Sequence, residues 1–100
     1  MATYLMLMKM GGGGAGVDDE PISEAIAEGA PEARKMVESF GGKMIANYLT
    51  MGQYDFAMIA EFPDDESAAR AALKARDFGG SIETLRAFPE SEWPDIARGM

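Results

Sequence analysis

The sequence predicts an α+β domain with four strands and two helices in the order β-α-β-β-α-β. Three observations carry that reading. Short apolar runs sit at Tyr4 to Met10, Lys43 to Thr50, Phe56 to Glu61 and Ser81 to Phe88, a length that suits strands. The two long intervals between runs one and two, and between three and four, hold apolar residues at helical spacing. Glycine pairs, Gly41-Gly42 and Gly79-Gly80, close both intervals, as helix ends commonly do. With 100 residues, 47% of them apolar, one domain covering residues 1–100 can bury a core without disulfides.

Taken in order, Tyr4 to Met10 is apolar on both parities. Tyr4, Met6 and Met8 point one way, Leu5 and Leu7 the other. Its length and its abrupt end at Gly11 favour a strand over a short buried helix. Gly11 to Gly16, "GGGGAG", reads as a flexible connection. Ala33, Met36, Val37 and Phe40 then recur at i, i+3, i+4 and i+7, which predicts a helix. Pro31 suits its first position. Ile22 and Ile26 predict a shorter helical piece before it, with a break near Gly29. Lys43 to Thr50 and Phe56 to Glu61 form a hairpin around Gly52-Gln53-Tyr54-Asp55, where Gly52 is free to take positive φ. "PDDESAARAALKARDFGG" is the second helix. Its acidic first turn, Pro63 to Glu66, matches the helix dipole, and its inward stripe reads as alanines with Leu73. Ser81 to Phe88 is strand four, and the tail carries Trp93 as its anchor.

Right-handed crossovers turn this order into a ferredoxin-like antiparallel sheet with both helices on one face. The other face is then expected to be polar, as in a solvated antiparallel sheet. It is not, because Leu5, Leu7, Ala57 and Ile59 fall on one parity while the opposite parity is just as apolar. An apolar surface of that size needs a cover. A second copy packed face to face is the simplest, giving an isologous homodimer with a small-ligand cavity between the sheets. The other available cover is the tail together with the glycine-rich loop.

The composition removes much chemistry. There is no cysteine and no histidine, which excludes thiol catalysis, cysteine or histidine ligation of zinc or haem, and histidine-based triads. A formal charge of −8, from 17 acidic against 9 basic residues, argues against nucleic acid and against an anionic membrane surface. The apolar start is too short to span a bilayer and has neither a basic leader nor a small-residue cleavage site, so a soluble, cytoplasmic protein is expected. "GGGGAG" is followed by "VDDE" rather than the Lys-Ser/Thr of a phosphate loop. The runs Asp18-Asp19-Glu20 and Asp64-Asp65-Glu66 lack a metal-loop spacing and read as solvated helix entries. Neither a metal nor a cofactor is expected.

Three stretches, "MATYLMLMKM", "GGKMIANYLTMGQYDFAMIAEFPDDESAA" and "ETLRAF", together resemble the GYD domain family. The G-x-Y-D step, followed by an apolar strand and then "PDDE", is the most specific part. The resemblance implies a dimeric α+β barrel, in agreement with the sheet reading. It implies no established activity. Related small barrels include cofactor-independent monooxygenases, isomerases and haem proteins, but no catalytic residues of theirs match positions here.

The candidate site residues follow from position. Tyr54 and Asp55 are the catalytic candidates, as proton donor and general base beside the cavity. The structural alternative has Gly52 making the turn, Asp55 accepting backbone N–H bonds and Tyr54 packing with a wet hydroxyl. Arg86, on one parity of strand four with Thr84, is the best available anion anchor. Its alternative is an ion pair with Glu61, Glu83 or Asp55. Tyr48, which shares its parity with Met44, is a candidate cavity residue. Met6 and Met58 could line a soft apolar pocket or simply fill the core. The leading function is a dimeric barrel that binds a small apolar or weakly acidic metabolite between its sheets. The alternatives are a cofactor-free enzyme of the monooxygenase or isomerase type, and an assembly module whose cavity is filled by side chains.

Overall fold

The structure, a computed structural model, describes residues 1–10 and 22–100. The expectations for the Gly11 to Gly16 connection and for Asp18-Asp19-Glu20 lie outside the described residues. The elements are β1 (Ala2–Lys9), α1 (Ile22–Ser39), β2 (Lys43–Leu49), β3 (Phe56–Phe62), α2 (Asp65–Ala75), β4 (Ser81–Ala87) and α3 (Trp93–Arg98). The strands form one sheet in the order β2-β3-β1-β4, with each neighbouring pair antiparallel. This is the ferredoxin-like βαββαβ arrangement, and β1, apolar on both parities, is one of its two central strands.

Both main helices pack on one side of the sheet. Met36 and Val37 of α1 and Ala68, Ala71 and Ala75 of α2 bury against Tyr4, Met6, Met58, Ala60 and Phe62. Small side chains let α2 lie close to the strands. Leu73, expected on that inward stripe, is instead 60% exposed. At 100° per residue it sits about 200° around the helix from Ala71, away from the Ala68-Ala71-Ala75 line.

The ends of the helices follow the chemistry of their flanks. Asp64 caps α2 by accepting the Ser67 N–H at 2.7 Å, a bond that holds the Asp64 carboxyl below its ordinary pKa. Asp65 and Glu66 supply negative charge in the first turn, where the dipole favours it. α1 stops at Gly41, which takes φ 79°. The Gly42 N–H returns to Val37 O and the Gly41 N–H to Glu38 O, each at 3.0 Å, a Schellman closure.

One helical expectation is corrected. α1 does not break near Gly29; it runs unbroken from Ile22 to Ser39 with Pro31 inside. An interior proline frees the carbonyl four residues earlier, here that of Ala27. Residues 27–31 are all exposed, so water can take that carbonyl. The tail, read from sequence only as anchored by Trp93, holds a 3₁₀ turn at Glu90–Glu92 that leads into α3. Trp93 anchors through its indole N–H, which donates to Phe88 O at 3.0 Å, while its ring stays 56% exposed. No helix among the described residues is long and apolar enough to cross a membrane.

Candidate functional site

Strand register fixes which side chains share a face, because directly paired residues point the same way. On the helix-free face, Leu5 stands between Ile59 and Leu85, and Ala46 follows Ile59 outward. The next row is Tyr48, Ala57, Leu7 and Glu83, and the row on the other side is Lys43, Glu61, Thr3 and Ala87. The centre is therefore apolar, with charges of both signs toward the rim. Leu85 is 47% and Tyr48 59% exposed. α1 and α2 pack on the opposite side; on this face Leu5, Leu7, Ala46, Ala57 and Ile59 are half-buried and Thr3 is buried.

Tyr48 reaches this face through a register shift. Between Met44 and Ala46 the pairing of β2 slips by one residue, leaving Ile45 as a bulge. Met44 opposes Ala60 on the helix side, whereas Tyr48 opposes Ala57 on the free side. The parity that Tyr48 and Met44 share in sequence is thus broken in the fold, since one extra residue inverts the phase of everything beyond it.

Met6, Met58 and Arg86 lie on the other side. Met6 and Met58 are paired in register and essentially fully buried under the helices. Arg86 pairs with Tyr4 at the outer strand β4. Its guanidinium donates from Nη1 to Thr3 O at 3.1 Å and to Ala87 O, and its Cζ lies 4.3 Å from the Phe88 ring centre and 5.5 Å from that of Tyr4. Among the described residues it makes no ion pair, so Glu61, Glu83 and Asp55 are not its partners.

Tyr4 and Thr84 were not legible as site residues. The Tyr4 hydroxyl donates to Asp65 Oδ1, and its ring meets Phe62 edge-on at 5.7 Å. Burial, then the hydrogen bond to Asp65 and its charge, push the Tyr4 phenol up to about 12, with Arg86 pulling the other way. A pKa raised on folding favours the folded state while the group is protonated. Its contribution is whole below the unfolded value of 10 and is lost as pH climbs through about 12. Thermal denaturation at about pH 9 and about pH 11.5 should therefore show a larger loss for the natural chain than for Tyr4→Phe; equal losses would remove Tyr4 from the account.

Tyr54 and Asp55 sit at the hairpin between β2 and β3. Gly52 takes φ 115°, and Thr50 closes the turn through its N–H to Asp55 O at 2.8 Å and its hydroxyl to Tyr54 O at 2.6 Å. The Asp55 carboxylate accepts the Met10 N–H at 2.7 Å, while the Asp55 N–H donates to Met8 O at 2.8 Å. Tyr54 donates its hydroxyl to Glu83, which holds the phenol above its ordinary pKa. Both side chains thus tie the hairpin to β1 and β4. Arg86 lies level with Tyr4 and the hairpin level with Met8, roughly 13 Å along β1, so these three polar groups do not converge.

A groove of about 480 Å³ opens between α2 and the β1–β4 edge, with Tyr4, Asp65, Thr84, Arg86, Ala72 and Leu73 on its walls. Among the described residues, no group of three or more Asp or Glu side chains is placed to hold a metal ion.

The GYD domain family matches residues 18–97. The chain belongs to that family. β1 precedes the matched region, so within the GYD match the sheet contributes β2, β3 and β4. No curated protein matches the chain. The fold is similar to the crystal structure of a protein of unknown function from Rhodopseudomonas palustris, with 19% identity, 87% of this chain and 82% of that chain covered, and a TM-score of 0.51. That likeness supports the architecture of this GYD domain.

Proposed function

We propose that this GYD domain works as a homodimer, two sheets packed face to face, and that the space between them holds a small apolar molecule. The observation that carries the reading is the row Ala46, Ile59, Leu5 and Leu85 at the centre of the sheet face opposite α1 and α2. Burying it in a second copy gains roughly 25 cal/mol for each Å² of apolar surface. The rim places Lys43 beside Glu61, and Lys9 and Glu83 near the other end, so a two-fold partner meets charges of both signs.

Arg86 lies on the far side of the sheet, which removes the anion anchor from this space and narrows the ligand toward the apolar class. Tyr48 remains as its polar lining group, while Tyr54 and Asp55 brace the hairpin at its edge. Native mass spectrometry of the purified protein tests the proposal. A dimer that retains a small apolar molecule supports it in full, and a dimer with no added mass supports the assembly-module reading. A monomer overturns both.

A further inference from the structure

We propose that the groove between α2 and β4 is a binding site for a small zwitterion, an α-amino acid with an aliphatic side chain. This site is on the helix side of the sheet and does not depend on a dimer. Four features of the groove point to that class.

Arg86 is a cation already held in place. Phe88 and Tyr4 flank its guanidinium, and Nη1 is bound to Thr3 O and Ala87 O. Among the described residues, Nη2 and Nε have no hydrogen-bond partner and no carboxylate lies within ion-pair distance. Such a fork suits a carboxylate.

Asp65 supplies the opposite charge from the α2 side of the groove, facing the β4 strand that carries Arg86. Its Oδ1 accepts the Tyr4 hydroxyl, which leaves Oδ2 for an ammonium. Thr84 lines the groove as a third polar residue; its Oγ1 is buried without a partner, a state that calls for one, and it meets a ligand by turning its side chain toward the groove. The remaining wall is apolar, with Ala72 and the exposed Leu73.

The charges discriminate among ligands. Asp64, Asp65 and Glu66 repel a plain carboxylate, and Arg86 repels a plain amine. A zwitterion satisfies both groups and lays its side chain along Ala72 and Leu73.

The test is an amide NMR titration of the full chain with three probes: L-leucine, 4-methylpentanoate, which lacks the ammonium, and 3-methylbutylamine, which lacks the carboxylate. Saturable shifts at Asp65, Ala72, Thr84 and Arg86 are expected with L-leucine at millimolar concentration, with binding about tenfold weaker for each single-charge probe. Arg86→Gln and Asp65→Asn should each weaken L-leucine about tenfold. Thr84→Val, nearly isosteric, should keep the fold and weaken binding as well. The proposal fails if L-leucine shifts nothing at about 10 mM, if either single-charge probe binds as tightly, or if Arg86→Gln, folded by its spectrum, leaves L-leucine affinity unchanged.

Discussion

Replacing Phe62 with alanine should lower the unfolding free energy by about 3–5 kcal/mol, the range for truncating a buried phenylalanine. Phe62 is fully buried and is the largest of the fully buried side chains. It packs edge-on to Tyr4, and the backbone at Gly42 closes over its ring. A Cβ at Gly42 would fall 2.6 Å and 2.7 Å from Phe62 ring carbons and 2.8 Å from Glu61 O. Gly42→Ala is therefore destabilising too, by about 1–3 kcal/mol for overpacking. Neighbouring changes of this kind do not add. In the Phe62→Ala background the ring clash is gone, so Gly42→Ala should cost less, leaving the contact with the Glu61 carbonyl. Urea denaturation of the four proteins checks this. A Phe62→Ala loss under about 1 kcal/mol, or strict additivity, would contradict the packing described.

Leu85→Glu should convert the proposed dimer to monomer, raising its dissociation constant by about a hundredfold or more. Leu85 is the ideal probe because it is already 47% exposed in one chain. A charge there costs the isolated fold little, yet in a face-to-face pair it would be buried without a partner. Leu73→Glu is the matched control, since Leu73 is 60% exposed and lies on the helix side. Sedimentation equilibrium should show dissociation for Leu85→Glu alone. If both variants, or neither, match the natural chain, Leu85 is not at an interface. Net charge has a further consequence: at −8 per chain, two copies repel each other at low ionic strength, so moderate salt should tighten the pair.

The order of elements was legible because each run was long enough, or punctuated enough, to declare its period. β1 and β3 alternate without interruption, so each could be split into two faces from sequence, but both faces are apolar and only the fold shows which one the helices cover. β2 could not be read that way. One bulged residue at Ile45 inverts the alternation, and nothing local marks it, so Tyr48 was assigned to the face of Met44. Pro31 reads as a helix start because its ring forbids an interior bond, but the solvent around Ala27 makes the lost bond tolerable. Leu73 was drawn onto the inward stripe by its hydrophobicity, whereas the packing there needs small residues. α3 lacked signal because six residues show too little periodicity.

The site was less legible than the fold. The hairpin role of Gly52 follows from local turn chemistry, whereas the Met10 N–H that the Asp55 carboxylate accepts comes from just past the end of β1, 45 positions away. The cluster of Tyr4, Asp65, Thr84 and Arg86 does not, since it joins residues more than eighty positions apart through strand register. Arg86 was recognised as an anion anchor by residue type, but which side of the sheet it serves depended on its pairing with Tyr4.

The central claim is that the helix-free sheet face is covered in solution. The most direct measurement is methyl NMR with a soluble paramagnetic agent, read at Leu5, Leu7, Ile59 and Leu85. Val37, fully buried, and Leu73, 60% exposed, are internal standards. A covered face predicts that the methyl groups of all four residues, Leu85 included, are protected like those of Val37. Broadening of Leu85 close to that seen at Leu73, with Leu5 broadened well beyond Val37, would show the face open to water and contradict the account.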